Sequence, residues 1–81
     1  NPSTTISFSL PTDGQVELIL YNIQGEKILT LLSEYLSAGM FAKRFDLAAA
    51  GLSSGVYLFK LNHTDGNGKI LSLTRKLTLL K

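Results

Sequence analysis

The chain has 81 residues, enough for one small domain that buries about 60–65% of its unfolded surface. It has no cysteine, which excludes a disulfide framework and a thiolate metal site, and its net charge is only +2. Stability must therefore come from backbone pairing and an apolar core, for which a hydrophobic fraction of 44% is ordinary.

The charge is unevenly spread. Residues 1–59 hold Lys27, Lys43 and Arg44 against Asp13, Glu17, Glu26, Glu34 and Asp46, whereas residues 60–81 hold Lys60, Lys69, Arg75, Lys76 and Lys81 against Asp65. A basic C-terminal segment suits an acidic partner, or a solvated edge strand whose cations discourage edge-to-edge pairing. No stretch of these 81 residues has the length and apolarity of a membrane span, and none reads as a signal peptide. The opening Asn1-Pro2, without methionine, is expected for a module of a larger polypeptide with any export signal upstream.

Residues 4–10 alternate, with Ile6, Phe8 and Leu10 on one face and Thr5, Ser7 and Ser9 on the other, the pattern of a half-buried strand. Pro11-Thr12-Asp13-Gly14 ends it in a turn. Val16, Leu18 and Leu20 alternate with Gln15, Glu17, Ile19 and Tyr21, and this second strand is expected to pair antiparallel with the first.

Asn22-Ile23-Gln24-Gly25 reads as a turn in which Gly25 takes a positive φ and Ile23 tucks into the core. In the third strand, 26–32, the pairs Ile28-Leu29 and Leu31-Leu32 break alternation and call for a bulge or cover on both faces. Residues 33–39 form a connector with a short extended piece at Tyr35 and Leu36. Residues 40–46 place Phe41, Lys43 and Phe45 on one face, with the Lys43 methylenes lying along it. Between 46 and 54, Leu47, Ala48, Ala49, Ala50 and Leu52 favour at most one helical turn before the glycines end it.

Residues 55–62 are the most strand-like stretch. Val56/Leu58/Lys60 and Tyr57/Phe59/Leu61 are both largely apolar faces, which predicts a central strand covered on both sides. Asp65-Gly66-Asn67-Gly68 is the strongest hairpin signal. The last strand, 69–80, aligns Leu71, Leu73, Leu77 and Leu79 on one face, interrupted by Arg75. The short extended piece included, this makes an all-β antiparallel sandwich of about seven strands.

Chemistry-bearing patterns are absent. His63 has no cysteine or second histidine to join it at a metal, and it reads as a solvated loop residue. The six carboxylates are scattered among turns, so paired acid–base chemistry has no support. Asp65-Gly66-Asn67-Gly68 lacks the later acidic ligands of a calcium loop. No serine sits in a Gly-x-Ser-x-Gly elbow, and Ser53-Ser54 has no base beside it. Asn62-His63-Thr64 matches a glycosylation acceptor formally. The aromatic residues fall mostly on expected core faces, and the basic residues are interleaved with leucines instead of aromatics, which argues against nucleic-acid binding.

Asn1-Pro2-Ser3-Thr4-Thr5-Ile6-x-Phe8-x-Leu10-Pro11, followed by Val16-x-Leu18-x-Leu20-Tyr21-Asn22-Ile23-x-Gly25-x-x-Ile28, resembles the type IX secretion system C-terminal sorting domain of type A. The related immunoglobulin-like module of flagellar hook-capping proteins shares the pattern. Gly51-Leu52-Ser53-Ser54-Gly55-Val56-Tyr57-x-x-x-Leu61 resembles that family's glycine–tyrosine motif, and Arg75-Lys76-Leu77-x-Leu79-Leu80-Lys81 its basic-apolar ending. Lys43 and Arg44 depart from the apolar or acidic residues often found there, and the turn at 63–68 is richer than usual.

The resemblance implies an immunoglobulin-like sandwich over residues 1–81, without catalytic residues, cofactor, metal or small-molecule substrate. Its implied role is sorting of an N-terminal passenger across the outer membrane by the type IX translocon. In the family a sortase-like surface protease commonly removes the domain, and the passenger is often joined to lipopolysaccharide. By position, Gly55, Tyr57, Leu61, Arg75, Lys76, Leu77, Leu79 and Lys81 would carry recognition. A structural immunoglobulin-like spacer and a carbohydrate-binding appendage of a secreted enzyme are the alternatives.

Overall fold

A computed structural model of the chain describes residues 3–47 and 49–80, leaving Asn1, Pro2, Ala48 and Lys81 outside the described residues. Six strands follow one another: β1 (Ser3–Leu10), β2 (Gly14–Tyr21), β3 (Lys27–Leu36), β4 (Gly39–Asp46), β5 (Gly55–Asp65) and β6 (Ile70–Leu79). They form two antiparallel sheets, β1-β4 and β3-β2-β5-β6. The immunoglobulin-like sandwich is thus built from six strands. The expected seventh, at Tyr35 and Leu36, is the end of β3, which stays paired with β2 through Gly14↔Leu36.

Pairing of β1 with β2 does not occur. β1 crosses to the opposite sheet and pairs with β4 along its whole length, from Ser3↔Asp46 to Leu10↔Gly39. The reason lies in the apolar faces. Side by side in one sheet, Ile6/Phe8/Leu10 and Val16/Leu18/Leu20 would all need cover from elsewhere. In facing sheets they cover each other, and Ile6, Phe8, Leu10, Val16 and Leu18 share one buried cluster with Leu61. Val16, Leu18 and Leu20 are wholly buried.

The corner that makes this crossing is tied to the next one. Asp13 Oδ1 accepts the backbone N–H of Ala38 at 2.7 Å, joining the β1–β2 corner to the short link between β3 and β4. At the third crossing, Asp46 Oδ1 accepts from Ala49 N at 3.2 Å and the Leu47 carbonyl accepts from Ala50 N at 3.2 Å. Among the described residues no helix forms there.

The expected break in β3 is real. Its register against β2 shifts between Leu18 and Ile19 and again between Leu20 and Tyr21, which absorbs the apolar doublets. In the β2–β3 turn, Asn22 Oδ1 accepts from both Gln24 N and Glu26 N, and Gly25 takes φ 88°. Ile23 does not tuck into the core: it is 65% exposed, because the side chain of Asn22 already organises this turn from within. On β4, Phe41 stacks on its register partner Phe8 at 5.4 Å, and Lys43 Nζ lies 5.9 Å from the Phe41 ring centre.

β5 is central in hydrogen bonding, between β2 and β6, but it is not covered on both faces. Phe59, Leu61 and His63 lie on the face turned to β1, while Val56 on the opposite face is exposed. The most buried strand is β2.

Candidate functional site

The two stretches that carry the suspected sorting signature are separated in sequence and adjacent in space. β5 and β6 pair antiparallel in the register Gly55↔Leu79, Tyr57↔Leu77, Leu58↔Lys76 and Phe59↔Arg75. Seven of the eight residues therefore fall on one two-stranded ribbon at the margin of the larger sheet. Lys81 lies outside the described residues.

Their surroundings divide them. Leu61 and Leu79 are buried, so they support the sandwich and offer no contact surface. Gly55, Tyr57 and Leu77 are half-buried, and Arg75 and Lys76 are exposed. Successive residues of a strand point to opposite faces, so Arg75 shares the face of Phe59 and Leu73 while Lys76 shares that of Leu58. The cationic pair thus straddles the strand.

β6 has a neighbour on one side only. Among the described residues no strand pairs with its other edge over ten residues, it has no proline or register shift, and its side chains from Ile70 to Lys76 are exposed. Such an edge is a template for another strand, and its charges are the usual restraint on indiscriminate pairing. Tyr57 braces the approach to this ribbon by donating its hydroxyl to the Ser53 carbonyl at 2.6 Å, which ties the end of the β4–β5 loop to β5. The hairpin between β5 and β6 is closed by Asp65, whose Oδ1 accepts from Asn67 N and Lys69 N, both at 2.9 Å. The backbone hydrogen bond from Lys69 is the chief reason its carboxyl sits below the ordinary value of 3.8.

His63 is not a solvated loop residue. β5 continues to Asp65, and period two places His63 beside Leu61 on the inner face, where it is 3% exposed. Its Nε2 lies 3.0 Å from the Thr12 carbonyl. A carbonyl only accepts, so Nε2 is the protonated nitrogen, and Nδ1 is buried without a hydrogen-bond partner among the described residues. Among the described residues no cluster of histidine and carboxylates stands ready to hold a metal ion.

Alternation alone leaves one feature hidden. β1 is also an edge strand, and a groove runs between it and β6 with Phe8 and Leu61 in its floor. It has two adjoining hollows of about 330 and 300 Å³ that share Ser7, Phe8, Leu61, Leu73 and Arg75.

Residues 1–77 match the family model described as "Secretion system C-terminal sorting domain". No curated protein and no solved structure matches the chain. The match spans both sheets and the β5–β6 ribbon as far as Leu77, and on it the chain belongs to the type IX secretion C-terminal sorting domains, signals that direct secretion across the outer membrane to the cell surface or beyond.

Proposed function

We propose that the domain is recognised as a folded module by the outer-membrane type IX translocon through the β5–β6 ribbon. The free edge of β6 and its two cations form the contact. The observation that carries this reading is the pairing of the two signature stretches into one ribbon whose outer strand has an unpaired edge. Main-chain pairing with an acceptor sheet would supply affinity, and Arg75 and Lys76 would select an acidic acceptor. The module itself is non-catalytic. A passenger domain on its N-terminal side is the cargo, carried through the periplasm. A sortase-like surface protease is the second partner: in the family it commonly removes such a module, and the passenger is often joined to lipopolysaccharide.

The test is a fluorescent reporter carrying an export signal and residues 1–81, expressed in a bacterium with a type IX system and in a strain lacking the translocon. Surface or medium fluorescence should depend on the translocon. Equal distribution in the two strains would reject the reading. Removing residues 75–81 is a blunter probe, because it also deletes Leu79, which is 1% exposed and part of the fold.

A further inference from the structure

The groove between β1 and β6 has three properties that occur together. First, residues of both alternation classes of β1, such as Thr5 and Ser7 as well as Ile6 and Phe8, border it from Thr4 to Pro11. Only a strand that presents its backbone edge can do this, and among the described residues no other strand pairs with Thr4–Leu10 on the side away from β4. Second, the opposite wall is apolar and incompletely covered: Leu71 and Leu73 are 46% and 39% exposed although they share the inner face of the sheet with His63 and Leu61. Third, among the described residues the charged ones along it are Arg75 and Lys76, and none of its described lining residues is a carboxylate.

We infer that this groove takes an extended strand of another protein, apolar at alternate positions and carrying a carboxylate that meets Arg75. The incoming backbone pairs with the free edge of β1 and widens the two-stranded sheet to three strands. Its apolar side chains cover Leu71 and Leu73, which the two-stranded layer leaves open. From Thr4 to Leu10 the edge runs about 20 Å, the length of a common strand. Charge complementarity selects this occupant: a cation in a groove whose described lining holds no carboxylate favours an acidic strand over a basic one. The inference goes beyond the sorting reading and stands without it, since it concerns the edge of β1 and requires no translocon.

The probe is a fluorescein-labelled peptide about seven residues long, alternating valine and threonine with one central glutamate. Two controls replace the glutamate by lysine or insert a central proline. Binding to the purified 81-residue chain is followed by anisotropy, and backbone amide shifts locate it. The glutamate peptide is expected to shift amides of β1 and to bind about tenfold more tightly than the lysine peptide, as a charge-assisted hydrogen bond would give. The proline peptide should not bind.

Leu73→Glu should weaken the glutamate peptide. Arg75→Ala, an exposed change that leaves the core intact, should remove the difference between the two charged peptides. No binding, shifts confined to β3 or β4, or equal affinity for the glutamate and lysine peptides would overturn the inference. So would concentration-dependent self-association that shifts the same β1 amides, because a second copy would then be the occupant. Translocon-dependent export without peptide binding rejects only the groove, and peptide binding without export rejects only the sorting reading.

Discussion

Gly14 lies so close to His63 that a β-carbon on it would stand 2.6 Å from the imidazole Nε2 and press on the backbone carbonyl of Thr64. The contact joins the first residue of β2 to the end of β5, where Nε2 already holds the Thr12 carbonyl of the preceding corner. A single glycine thus lets the corner, the central strand and the buried histidine meet at one point.

Gly14→Ala should destabilise the domain by about 1–3 kcal/mol, the range for overpacking a tight site. In an 80-residue domain each kcal/mol lowers Tm by roughly 4–8 °C. His63→Ala in the same chain should restore only part of the loss, because the Thr64 carbonyl belongs to the backbone and cannot move away. Thermal unfolding of the two single variants and the double variant measures the coupling; full recovery in the double variant would contradict this geometry.

Tyr57→Phe should loosen the end of the β4–β5 loop while leaving the sandwich folded. The lost hydrogen bond to the Ser53 carbonyl is exposed, so the effect on global stability should lie near or below the low end of about 0.5–1.5 kcal/mol. Faster hydrogen exchange and proteolysis confined to residues 49–54 would show it.

Asp65 should make the β5–β6 hairpin sensitive to acid. Its carboxylate pKa is lowered in the folded state, chiefly by the backbone hydrogen bond from Lys69, so the carboxylate favours the closed turn when ionised. That contribution is present above the ordinary value near 3.8 and is lost as pH falls below it. Amide shifts of Asn67 and Lys69 should titrate together in that window, and Asp65→Asn, which retains an oxygen acceptor, should abolish the titration.

Leu79→Ala and Arg75→Ala should differ sharply in their effect on stability. Truncating Leu79, which is 1% exposed, should cost about 2–5 kcal/mol. Arg75→Ala, on an exposed position, should change stability by no more than about 0.5 kcal/mol. Equilibrium denaturation distinguishes them.

The sequence made the strands legible wherever apolar and polar residues alternate, as from Ile6 to Leu10 and from Val16 to Leu20, and it marked both side-chain-closed turns at Asn22 and Asp65. It concealed neighbours. Period two tells which residues face a core but not which strand lies alongside, so the passage of β1 to the other sheet could not be read from Ile6, Phe8 and Leu10 alone. Ile23 misled for a related reason: an apolar residue in a turn has no period, and hydrogen bonding by Asn22 decided its exposure. His63 was recoverable, since extending the alternation of Phe59 and Leu61 by one step puts it on the inner face. For the site, family resemblance named the residues of the ribbon as candidates. Their pairing and the burial of Leu61 and Leu79 within it needed the register, and the groove beside β1 needed both edges.

The most direct measurement compares the reporter fusion with its Arg75→Glu/Lys76→Glu counterpart in the same translocon-competent strain, after matched unfolding curves have shown both domains folded. The parent should reach the surface or medium, and the doubly reversed variant should accumulate in the periplasm. Export of the variant at the parent's level would contradict recognition through the β6 edge.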